Sequence, residues 1–111
     1  MTTTRDFLDK VLERMGPLDV SARAMFGEYG LYFEGRFFGV VCDNTVFIKV
    51  TPRGANVAGR IAKGQPFPGA KPWFKVSAAK LAERDWLTFL ISETTADLAP
   101  PKTRGRPRRT S

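Results

Sequence analysis

The sequence predicts an α+β domain, an antiparallel sheet of about five strands flanked by helices, with a short basic tail behind it. Three observations carry this reading. Apolar residues recur at helical spacing near both ends of the folded part and at a spacing of two between them. Tight-turn residues separate the strand-like segments, which fits antiparallel neighbours. Pro100-Pro101 then stops the pattern, so residues 1–99 are assigned to the folded domain and 100–111 to a disordered tail.

The first helix is predicted from Thr4 to Met15. Phe7, Leu8, Val11, Leu12 and Met15 make one apolar stripe, Thr3 with Asp6 resembles a capping box, and Gly16-Pro17 ends the helix. The period then becomes two. Val20, Ala22, Ala24 and Phe26 alternate with Ser21, Arg23 and Met25, a half-buried strand that Gly27-Glu28-Tyr29-Gly30 interrupts. Leu31 to Phe33 is a second strand, Glu34-Gly35 a hairpin turn, and Arg36 to Cys42 a third strand. The third is apolar on both faces and belongs in the middle of its sheet. Asp43-Asn44 turns into a fourth strand, Thr45 to Val50. Ala55 to Lys63 reads as a short helix stopped by Gly64, Gln65 to Pro72 as loop, and Trp73 to Val76 as the fifth strand. Ser77 is placed to cap a turn through Leu81. The last helix covers Glu83 to Leu98 and buries Trp86, Leu87, Leu90, Ile91 and Leu98. Phe7, Trp73 and Trp86 read as core.

The chain has 111 residues, a net charge of +7 and 42% hydrophobic residues, enough for one core. The charge is unevenly placed. Five of the 18 Lys and Arg lie at 102, 104, 106, 108 and 109, and no acid follows Asp97. Residues 1–99 therefore carry 13 bases against 11 acids, a nearly neutral body that argues against a broad nucleic-acid surface on the folded part and leaves room for a local patch. The single cysteine, Cys42, excludes an intrachain disulfide and fits a reducing compartment. There is no apolar run of the ~18 residues that would cross a membrane, and no signal-peptide pattern opens the chain. A cytoplasmic protein, nucleoid-associated where its tail meets DNA, is the expectation.

The tail holds the strongest chemical signal. Arg104-Gly105-Arg106-Pro107 matches the core of an AT-hook, a peptide that lies in the minor groove of A·T-rich DNA. That groove is narrow and electronegative and attracts inserted arginines, here Arg104 and Arg106. Gly105 lets the backbone approach bases that lack the guanine amino group, and Pro107 keeps Arg106 extended. Lys102, Arg108 and Arg109 would meet flanking phosphates. The plainer reading is a solvated basic terminus that binds any polyanion.

The body offers no catalytic constellation. Histidine is absent, which removes the commonest general base and metal ligand. Cys42 reads as a small core residue in an apolar strand. Gly27-x-x-Gly30 reads as a bend requiring positive φ, or as a ligand-contacting loop with Arg23 beside it. Arg23 and Lys49 both face away from their apolar neighbours. On adjacent strands they would share one sheet face and form an anion or acidic-partner site; the alternative is two solvated strand residues.

The segment from Arg23 to Tyr32, with Arg23, Met25, Phe26, Gly27 and Gly30 as its core, resembles the opening motif of the TfoX/Sxy family N-terminal domain. Gly35, Phe37-Phe38, Gly39, Asp43 and Lys49 stand where that family has a turn glycine, an aromatic, a small residue, a turn acid and a strand-ending lysine. Pro66-Phe67 and Trp73-Phe74 resemble its later loop and strand. Glu28 departs from the family, which commonly has glycine there. The resemblance implies an α-β-β-β-α-β-β-α layout similar to secretion-chaperone-like folds, and a link to transcription, since family members regulate competence together with a cyclic-AMP-responsive activator. The expectation is thus a small bacterial transcription-associated protein without enzymatic activity, cofactor or metal. Its folded domain makes contacts with a transcription factor or a second copy, and its tail holds A·T-rich DNA. The alternative is a protein-interaction or chaperone-like adaptor with an incidental tail.

Overall fold

The amphipathic stripe at the start of the chain forms helix α1, Arg5–Arg14, in the computed structural model, which describes residues 3–25 and 28–99. Its N-cap is Thr4, whose hydroxyl accepts from the Phe7 amide at 3.1 Å. Thr3, the residue expected to cap, instead accepts through Oγ1 from the Asn44 amide at 3.2 Å. Strands β1 (Val20–Met25), β2 (Glu28–Phe33), β3 (Arg36–Cys42) and β4 (Thr45–Ile48) follow as an antiparallel meander. The two tight turns fall where the sequence places them. Glu34 and Gly35 have φ of 54° and 76°, and Asp43 and Asn44 have 51° and 55°, the paired positive values of twist-matched two-residue hairpins. Glu28, Tyr29 and Gly30, expected to break the sheet, are its second strand.

Helix α2 is Pro52–Ala58, not the predicted Ala55 to Lys63. Thr51 caps it by accepting from the Gly54 amide at 3.0 Å, and Pro52 supplies a pre-set φ in the first turn. Gly59, at φ 66°, ends it. The displaced residues Lys63–Gly64 form a two-residue strand, β5, against β6 (Trp73–Val76). That strand raises the count among the described residues to six, in the order β1-β2-β3-β4-β6-β5. β3 sits inside the sheet, as its two apolar faces require. Four strands precede α2, as the turn pattern predicts, rather than the three implied by the family layout. Ser77 caps the short α3, Ala78–Leu81, and α4, Arg84–Ala96, closes the domain.

One apolar cluster holds these parts together. Leu8, Val11 and Met15 of α1, Leu87, Leu90 and Ile91 of α4, Leu81 and Ala58 pack on Leu31, Phe38, Val41, Val46, Ile48, Phe74 and Val76 of the sheet. All four helices therefore cover the same face. Polar links fix their placement. Arg36 Nη1 donates to the Thr95 carbonyl at 2.8 Å, a cation at the last turn of α4. Asp97 Oδ2 accepts from the Arg53 amide at 2.7 Å, which satisfies a free donor of α2. Arg84 joins Glu13 at 2.7 Å, and that hydrogen-bonded charge holds the Glu13 carboxyl below its ordinary pKa.

The β2–β3 register slips by one residue: Leu31 faces Gly39, but Tyr32 faces Phe37. Phe38 is the unpaired residue of this bulge and is fully buried among the core side chains. Beside it, a Cβ on Gly39 would lie 2.5 Å from the Phe47 carbonyl oxygen, so β3 and β4 approach here only because the side chain is missing. Gly39→Ala is expected to lower stability by about 1–3 kcal/mol, the range for forced overpacking. Urea unfolding should show a lower midpoint with an unchanged slope.

Candidate functional site

The sheet face away from the helices carries the candidate site. Strand alternation brings Arg23, Met25, Gly30, Tyr32, Phe37, Val40, Cys42, Phe47, Trp73 and Lys75 to this side. The Arg23 guanidinium lies 5.0 Å from the Tyr32 ring centroid. Tyr32 and Phe37 rings are 5.3 Å apart, and Phe37 meets Trp73 edge-on at 6.1 Å. Lys49 Nζ sits 4.6 Å from the Phe37 ring and 6.0 Å from Trp73. Phe67 continues the series, T-shaped against Trp73 at 6.2 Å. Cations and rings thus alternate in one row across the strands. Each cation–π contact contributes on the order of 0.5–1 kcal/mol at such exposure, enough to order the row without holding the fold.

Arg23 and Lys49 do share a face, but not as neighbours. β2 and β3 separate β1 from β4, and Tyr32 and Phe37 bridge the gap. Trp73, expected in the core, is half-buried on this open side while Phe74 is buried beneath it. The signal was available in Trp73-Phe74-Lys75-Val76, where alternation places Phe74 and Val76 inward. Phe7 and Trp86, also expected in the core, are half-buried and pack at its margin. Gly30 has no positive φ. Its part in the motif is a missing side chain: a Cβ would lie 2.7 Å from Met25 Sδ, 3.1 Å from Phe37 Cε1 and 3.3 Å from Tyr32 Cε1. Gly30 is the floor on which these three side chains converge. Phe26, Gly27 and the tail residues Lys102, Arg104, Gly105, Arg106, Pro107, Arg108 and Arg109 lie outside the described residues.

Two hollows flank the row. One, about 480 Å³, lies between Met25, Glu28, Val40 and Cys42 and the overhanging Pro66, Phe67 and Pro68. Gln65 Nε2 donates to the Ala70 carbonyl at 2.8 Å and pins that overhang. The second, about 230 Å³, is bounded by Lys49, Val50, Lys71, Pro72 and Trp73. Burial pushes the Lys49 ammonium below its ordinary pKa.

Glu28 clamps one end of the site. Oε1 accepts from the Thr3 amide at 2.9 Å and Oε2 from the Asp43 amide at 3.2 Å, so one carboxylate ties the start of the chain to the β3–β4 turn. Asn44 Oδ1 adds a bond from the Thr4 amide at 2.9 Å. Nearby, Cys42 is half-buried in the wall of the larger hollow rather than in the core. Burial, then the charges of Glu28 and Asp43, push its thiol pKa up. The described residues hold no group of three His, Cys, Asp or Glu placed for a metal ion, and no helix among them is long and apolar enough to cross a membrane.

The TfoX N-terminal domain family matches residues 10–98. The chain belongs to that family. It is 34% identical over 105 residues to an uncharacterized 12.7 kDa protein in the trpE 5′ region of Spirochaeta aurantia, covering 94% of this chain and 90% of that one. The TfoX motif residues Arg23, Met25 and Gly30 thus belong to the packing of the open sheet face, with Glu28 as a clamp beside them.

Because the thiolate is the reactive form, Cys42 should alkylate with iodoacetamide more slowly near neutral pH than an unhindered cysteine, with its rate midpoint displaced to alkaline pH. Removing the nearby negative charge in Glu28→Gln should move that midpoint back down. A pH–rate profile of both proteins checks this, and an acid-shifted midpoint in the parent chain would contradict it.

Proposed function

We propose that this TfoX-family protein is a small DNA-associated adaptor of transcription: its tail holds A·T-rich duplex, and its folded domain presents a surface to a partner. One observation carries the reading. Five of 18 basic residues stand in the last ten positions around Arg-Gly-Arg-Pro, behind a body of nearly balanced charge. Electrostatic attraction is thereby concentrated on a segment whose residue types suit a narrow, electronegative groove. The body works by contact and not by catalysis. In support, the chain has no histidine to act as a base, and burial disfavours the thiolate form of its one cysteine. A transcription factor or a second copy of the chain is the partner this reading expects.

A second reading, an adaptor with an incidental tail, draws on the exposed ring of Phe89 on α4, 57% accessible. A large apolar side chain on the outer helix suits a protein partner that does not involve the tail.

Gel shifts with the full chain separate the two. Against an A·T-rich duplex, binding should weaken with salt at a log–log slope no steeper than about −4.5 for five phosphates engaged. Arg104→Ala with Arg106→Ala should lower affinity at least about tenfold and abolish preference over a G·C-rich duplex. Unaltered duplex binding in that variant would leave the adaptor reading in place.

A further inference from the structure

The open sheet face of the folded domain carries cations of its own, Arg23, Lys49 and Lys75, with Lys71 at its margin. Glu28 is the one acid within the six strands, and both its oxygens are already bonded to backbone amides. The ion pairs among the described residues all join helix or helix-cap residues: Arg5–Asp9, Arg14–Glu13, Arg53–Glu93, Lys80–Glu83 and Arg84–Glu13. Arg23, Lys49, Lys71 and Lys75 make none with a described carboxylate. A body that is nearly neutral in sum is therefore divided: the ion pairs lie on the helical side, and the open sheet face carries these cations without such partners among the described residues.

The same face supplies rings. Tyr32, Phe37 and Trp73 lie along a line that crosses the strands, with Arg23 at one end and Lys49 between the last two rings. Successive steps along this line, Arg23 to Tyr32, Tyr32 to Phe37 and Phe37 to Trp73, are 5.0, 5.3 and 6.1 Å. The three rings are half-buried rather than covered, and a sheet face with two or three accessible rings can stack on the order of three unpaired bases. Stacking tolerates any base, and interleaved cations follow the backbone. An acidic protein would use the cations but has no need of the row of rings. A duplex would leave the rings unused, because its bases are already stacked.

We propose that the open sheet face binds single-stranded nucleic acid, with bases stacked on Tyr32, Phe37 and Trp73 and phosphates held by Arg23, Lys49, Lys71 and Lys75. Arg23 serves in two ways, since a guanidinium lying on a ring offers its outer plane to a further base. Lys49 and Lys71 border the hollow beside Trp73, where a phosphate would meet two cations and an aromatic wall. Gly30 keeps Met25 low beneath the row, so that the rings gather over it.

The test uses the full chain with Lys102, Arg104, Arg106, Arg108 and Arg109 changed to alanine, which removes the tail's charge. In that background Trp86→Phe leaves Trp73 as the only tryptophan. Titration with a short oligothymidylate should quench its emission, and Arg23→Glu with Lys49→Glu should weaken binding at least about tenfold while the protein stays folded, its melting temperature falling by no more than the lost ring contacts require. Should Trp86→Phe fail to fold, anisotropy of a labelled oligothymidylate with Trp86 intact gives the same comparison. Quenching that saturates equally with thymidine monophosphate would overturn the strand proposal in favour of a small-nucleotide site. Equal affinity for polyglutamate would reduce the face to a general anion surface. Absence of any quenching or binding would overturn the proposal outright, whatever the tail does with duplex DNA.

Discussion

One-sided burial is the constraint from which the rest of this molecule follows. Every helix places its apolar residues in a single cluster against Leu31, Phe38, Val41, Val46, Ile48, Phe74 and Val76. Apolar area removed from water is the main favourable term in folding, and here most of it lies on one side of six strands, with Val40 and Phe47 buried on the other. Among the described residues, the overhang at Pro66 to Pro68 lies over the other side. Its rings and long cationic side chains are left to cover one another, and this makes the cation–aromatic row a result of the layering.

The bulge at Phe38 shows how closely the two sides are linked. Phe37 and Phe38 are adjacent in sequence, yet one ring belongs to the open row and the other to the core. Regular alternation would put Gly39 on the side of Phe37. The slip places it opposite Leu31 instead, where backbone closeness to Phe47 demands glycine. Similar economy is seen at Glu28, where a single carboxylate satisfies amides from two distant segments.

Much of this was legible in the residues alone. Period-two patterning and the Glu34-Gly35 and Asp43-Asn44 turns gave the meander, because tight turns and half-buried strands are local in their causes. The family motif was legible too, though its glycine was misread: Gly30 serves side-chain convergence, which depends on Met25 and Phe37 from two other strands. Helix α2 was misplaced because Thr51-Pro52, a start signal, was passed over for the weaker periodicity after Ala55. β5 has two residues and no pattern of its own. At the candidate site, alternation correctly turned Arg23 and Lys49 outward. The rings joining them escaped notice because an aromatic-rich strand looks like core until the sheet is known to be covered on one side only.

The extra residue in β3 also constrains how this chain can change over time. Deleting Phe38 would restore even pairing with β2 and leave every other β3 side chain on its present face, because Phe37 already sits opposite Tyr32 and Gly39 opposite Leu31. The damage would fall on the core, which would lose a fully buried ring. A codon lost where the pairing is even would instead slip the register and exchange inside for outside.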